Sequence, residues 1–103
     1  MKDFRKLDIW KRGLKLVKQV YVLTNKLPQK EQFGLVSQMN RCAVSIPSNI
    51  AEGCSRSSAL ELARFIEIAL GSAFELETQI IIVSEVYQIE VIELLDSLSQ
   101  LQK

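Results

Sequence analysis

Histidine is absent from the 103 residues. That removes the commonest general base and the commonest zinc ligand at neutral pH. Cysteine occurs twice, at Cys42 and Cys54, and a separation of twelve residues makes no C-x-x-C metal or redox motif. In a reducing compartment both are free thiols. Cys42 reads as a small core residue and Cys54 as an exposed one near a helix end. Two prolines and four glycines leave few sharp turns. The longest apolar runs, such as Ile80 to Val83, fall far short of the roughly 20 residues that span a bilayer. Residues 1–20 carry charge throughout, unlike a cleavable signal. The expectation is a soluble cytoplasmic protein without metal or cofactor. Glu52 and Glu75 could be imagined as an acid–base pair, yet no nucleophile, metal motif or phosphate loop accompanies them. The sequence therefore predicts no catalytic residue and no enzyme.

What is present is an ordinary folding composition, 48% hydrophobic and 24% charged. The length suits one domain over residues 1–103. The net charge of +1 conceals an asymmetry. Residues 1–30 hold nine basic against two acidic side chains, a net +7, and the remainder holds four basic against ten acidic, a net −6. Such polarity within one domain suggests an electrostatic partner, or subunits that pair opposite faces.

The apolar periodicity is helical throughout. A first amphipathic helix is predicted from an Asp8 N-cap to about Lys26, stopped by Pro28. Its apolar arc (Ile9, Trp10, Leu14, Leu16, Val17, Val20, Tyr21, Leu23, Leu27) is wider than one neighbouring helix needs. Lys11, Arg12, Lys15, Lys18 and Lys26 take the opposite arc. A second helix runs from about Gln29–Glu31 to Glu52, with a kink expected at Pro47 and a stop at Gly53. Ser58 and Glu61 form a capping box for a third helix reaching about Tyr87. Gly71, in its middle, implies close approach of another helix. A fourth helix spans about Glu90 to Leu101, nearly continuous with the third, since no Gly or Pro separates them. The predicted fold is all-α: an antiparallel up-down four-helix bundle.

One stripe stands out. Gln38, Arg41, Ser45, Ser48 and Glu52 recur at spacings of 3, 4, 3 and 4 within an apolar helix. A polar line there must face water or find partners. Gln38, Arg41, Ser45, Asn49 and Glu52, with Glu75 and Gln79 from the third helix, form a candidate structural network or subunit interface. Arg41 is expected to pair with Glu75 or Glu52, and Asn49 to bond backbone freed by Pro47.

The stretch Ser45-Ile46-Pro47-Ser48-Asn49-Ile50-Ala51-Glu52-Gly53 carries a resemblance. With Phe4, Trp10, Pro28, Gly34-Leu35, Gln38, Arg41, Phe65, Gly71-Ser72-Ala73 and Gln79, it resembles the four-helix proteins encoded in bacterial 23S rRNA intervening sequences. That family is often labelled S23 ribosomal protein-like, and the likeness covers nearly the whole chain. It is also similar to the accessory variability protein of diversity-generating retroelements. The resemblance implies a four-helix bundle, commonly a ring-like homopentamer, with no catalytic residues. The retroelement relative implies a basic barrel that binds nucleic acid and a reverse transcriptase.

Residues and resemblance together predict a non-catalytic homo-oligomer whose basic first helix (Lys11, Arg12, Lys15, Lys18, Lys26) binds RNA or DNA, with a nucleic-acid-processing protein as a possible partner. No aromatic residue interleaves these cations, so contacts should go to phosphate and carry little sequence preference. The alternative is a protein–protein interaction scaffold with no nucleic-acid binding.

Overall fold

A computed structural model describes residues 2–102. It is all-α, with four α-helices and no strand among the described residues. The helices are α1 (Asp8–Thr24), α2 (Ser37–Cys54), α3 (Ala59–Tyr87) and α4 (Ile92–Gln102). Lys103, counted in the charge balance, lies outside the described residues.

The contacts fix the sense of neighbouring helices. Gly13 of α1 faces Pro47 of α2, while Thr24 Oγ1 donates to Asn40 Oδ1 at 3.0 Å. Rising numbers in α1 meet falling numbers in α2, so the two run in opposite directions. Gly53 faces Leu62 and Phe65, and the Ser45 and Ser72 hydroxyls lie 2.8 Å apart, which gives α2 and α3 the same relation. Gln102 Nε2 donates to Glu77 Oε1 at 2.9 Å, so α4 folds back along the second half of α3. Leu16, Val20, Met39, Ala43, Ile46, Leu76, Ile80, Val83 and Leu98 fill the shared core.

The ends of the helices depart from the sequence reading in instructive ways. Leu7 is the N-cap of α1, and Asp8 is its first helical residue. There its carboxylate complements the helix dipole and pairs with Arg12 at 2.9 Å. α1 ends at Thr24, before Lys26. A 3-10 turn (Gln29–Glu31) and a π-helical turn (Gln32–Val36) precede α2. The backbone leaves the helical region at Gly34 (φ −111°, ψ −107°), inside that π turn. α2 continues through Pro47, and through Gly53 to Cys54. Gly53 is thus not a stop. A Cβ there would lie 2.8 Å from Phe65 Cβ, so glycine permits α3 to approach. Gly13 does the same for the Pro47 ring, which a Cβ would meet at 3.2 Å.

Ser58 caps α3 as expected: its Oγ accepts from Glu61 N at 3.1 Å and donates to Glu61 Oε1. The junction after α3 is a real break. Gln88 sits in the left-handed region (φ 51°, ψ 40°) and ends the helix. Glu90 then accepts a hydrogen bond from Ile92 N at the start of α4. The close approach expected at Gly71 is not made within the chain, since nothing lies within 4 Å of a Cβ placed there.

These glycines give a paired prediction. Gly53→Ala forces a backbone-proximal clash and is expected to destabilise the fold by about 1–3 kcal/mol. Gly71→Ala, in an open helix interior, should stabilise by about 1 kcal/mol. Urea midpoints of the two variants, compared at constant m-value, test both signs.

Candidate nucleic-acid interface

α1 separates its residues cleanly because helical spacing places Leu16, Val20 and Leu23 inward. Lys11, Arg12, Lys15, Lys18 and Lys26 are all exposed. Lys11, Lys15 and Lys18 lie at i, i+4 and i+7, one row on the outer face, rising about 10 Å in all. No carboxylate of the described residues pairs with any of the three. Arg12 is engaged by Asp8. Lys26, beyond the helix end, shares a surface depression with Glu90 and Glu93. The five predicted cations therefore divide into a free row of three and two with acidic company.

The polar stripe of α2 does not close into one network. Gln38, Arg41, Ser48 and Glu52 are exposed, and Ser45 and Asn49 are half-buried. Glu52 pairs with Arg56 at 3.0 Å, one turn on, and not with Arg41. Glu75 accepts from Gln79 Nε2 at 3.4 Å. Arg41 has no ion-pair partner among the described residues. Asn49 Nδ2 donates to the Ser45 carbonyl at 2.7 Å. The carbonyl that Pro47 leaves without a backbone donor is that of Ala43, so Asn49 does not serve it. Gln79 is buried, and its Oε1 has no hydrogen-bond partner. A buried amide oxygen without a donor costs stability.

Cys42 is a core thiol, as expected; its Sγ–H donates to the Ser72 carbonyl at 3.1 Å. Burial pushes its pKa up to about 11, with the Glu75 charge adding to the effect. Cys54, expected to be exposed, is buried, and its carbonyl accepts from Lys2 N at 3.2 Å. The N-terminal segment is thus tied to this end of α2. The Tyr87 hydroxyl donates to Glu31, which holds the phenol above its ordinary pKa. That bond ties the turn before α2 to the end of α3.

Sequence reasoning anticipated surplus apolar surface on α1, whose arc reads as wider than one neighbouring helix needs, but missed the exposed apolar residues of α2 and α3. Leu14, Tyr21 and Val44 form one exposed strip at the α1–α2 seam, and Leu70, Phe74 and Ile81 form another along α3. Helical spacing alone does not distinguish these stripes from core.

A family profile described as 23S rRNA-intervening sequence protein matches residues 5–103. The chain belongs to that family. No curated protein matches it. Membership agrees with the all-α, four-helix architecture and with the resemblance carried by the Ser45–Gly53 motif. No group of three or more potential metal ligands occurs among the described residues. No described helix is long and apolar enough to cross a membrane.

The thiols supply a test. With Cys42 raised to about 11 and both cysteines buried, neither should react with a thiol reagent at pH 7 until urea unfolds the chain. The Cys42 thiol is neutral in the folded state at pH values where the unfolded thiol already ionises. Its contribution to stability is therefore complete below about pH 9 and lost as pH rises from 9 toward 11. Urea unfolding of wild type and Cys42→Ala across pH 8–11 should show a downward slope that is shallower in the variant.

Proposed function

We propose that this family member is a non-catalytic, homo-oligomeric helical bundle that binds RNA or DNA phosphates through the outer face of α1. The observation that carries the reading is the row Lys11, Lys15 and Lys18, exposed and free of carboxylate partners. Each cation that neutralises a phosphate releases condensed counterions. A ring of copies repeats the row, so weak contacts add by effective concentration. No aromatic side chain interrupts the row, which supports backbone contact over base readout. The homopentamer implied by the resemblance would present five such rows around a cytoplasmic scaffold for a nucleic-acid-processing protein.

The scaffold reading without nucleic acid draws on a different observation, the exposed apolar strips of α1–α2 and α3. The two readings part in one experiment. Lys11→Glu with Lys15→Glu should lower affinity for a mixed-sequence structured RNA at least tenfold at 0.1 M salt, without changing the circular dichroism. It should also reduce the slope of log K against log salt by about 2. Unchanged affinity in this variant, or no RNA binding by wild type at low salt, sinks the phosphate reading and leaves the scaffold.

A further inference from the structure

Phe33 presents almost its whole side chain to solvent, at 95% exposure; the next most exposed large apolar residue, Ile92, stands at 72%. This exposure does not come from a loose segment. Phe33 lies in the π-helical turn Gln32–Val36, a geometry that recurs at functional sites. On one side of it Glu31 accepts from the Tyr87 hydroxyl. On the other, Leu35 and Val36 pack against the core, which Leu27 also joins from before the turn. The ring is therefore carried outward on a support anchored at both ends, and its own chain leaves it almost uncovered.

The chain around the ring is polar and basic. Between Asn25 and Gln32 the exposed side chains are amides, Pro28, Lys26 and Lys30, with no carboxylate among them. Glu31, the one acidic residue of the stretch, is half-buried and bonded to Tyr87. Lys26 shares its depression with Glu90 and Glu93. Lys30, three residues before Phe33, is exposed and has no ion-pair partner among the described residues. A lone ring in this company does not suit a membrane, which needs a continuous apolar face. Nor does it suit a protein hot spot, which needs a rim that excludes water from its anchor. It suits a nucleic-acid base, whose flat face stacks on a single aromatic ring while its polar edges and phosphate take amides and an ammonium. The helix that carries the free lysine row ends at Thr24, about 9 Å beyond Lys18. The row therefore runs toward the connection that holds Phe33.

We infer that Phe33 is a stacking platform for an unpaired base of the nucleic acid that the α1 row holds. This rests on the phosphate-binding reading above and deepens it, since it makes the ligand single-stranded or looped RNA or DNA. Lys11, Lys15 and Lys18 stay free for phosphate. Paired bases stack on one another and offer no face to a ring outside the duplex, whereas an unpaired base does. The preference is for strandedness and not for sequence, because every base has a π-face. The anchored turn has already fixed the backbone, so stacking freezes only the two torsions of the Phe33 side chain.

The test compares affinities for a mixed-sequence single-stranded RNA and for a long mixed-sequence duplex RNA at one salt concentration. Circular dichroism and light-scattering mass accompany each variant. An exposed ring carries little of the fold, so Phe33→Ala should keep both. It should bind the single strand about tenfold more weakly and the duplex as wild type does. Phe33→Leu keeps apolar bulk without a π-face and should lose as much, whereas Phe33→Trp should match or exceed wild type on the single strand. The slope of log K against log salt should stay unchanged in all three, since no cation is removed. Unchanged single-strand affinity in Phe33→Ala or Phe33→Leu, or an equal loss on strand and duplex, overturns the inference and leaves the phosphate reading standing. A fall in the mass of Phe33→Ala also overturns it, by marking the ring as a contact between proteins. Wild type that binds neither RNA overturns both readings together.

Discussion

The close approach of α2 to both of its neighbours is the constraint on which the remaining packing depends. Pro47 fits against α1 because residue 13 has no side chain, and Phe65 fits against α2 because residue 53 has none. Each glycine sacrifices helix propensity, roughly 1 kcal/mol relative to alanine. In return the backbones approach closely enough for Ala43, Ile46 and Ile50 to join the core shared with α1 and α3. The Ser45–Ser72 and Thr24–Asn40 hydrogen bonds then fix the axial register on either side.

Much of this was legible in the chain because helical periodicity and capping are local. The Ser58–Glu61 capping box, the amphipathic α1 and the core role of Cys42 all depend on residues within one or two turns. Features set by non-local contacts were not. Gly53 reads as a stop because glycine commonly follows helices, but α3 approaches there, a fact carried by residues 62 and 65. Cys54 reads as exposed because it sits near a helix end, yet it is buried, and the N-terminal segment is bonded to its carbonyl. Gln88 has no composition signal at all: a left-handed non-glycine residue is uncommon, and neither Gly nor Asn marks the site.

The candidate site divides in the same way. That α1 would expose its lysines follows from one helix alone. Which of them are free depended on Asp8, Glu90 and Glu93, and the last two come from the far end of the chain. Arg41 does not pair with Glu52, which is held by Arg56 just beyond the end of α2. The extra apolar stripes were visible as hydrophobicity but not as surface, because periodicity does not say which side of α3 the core occupies. The charge asymmetry between the first thirty residues and the rest thus has two outlets: solvent-facing lysines on α1, and the carboxylates of α3.

The left-handed cap at Gln88 has a consequence for chain topology. It turns the backbone so that α4 returns along its own α3 and completes its own core with Leu94 and Leu98. Were residues 88–91 all helical, Ala59 to Gln102 would form one rod of about 66 Å, and α4 would be carried away from its own core. The short junction of residues 88–91, opened by the left-handed Gln88, therefore keeps each core self-contained.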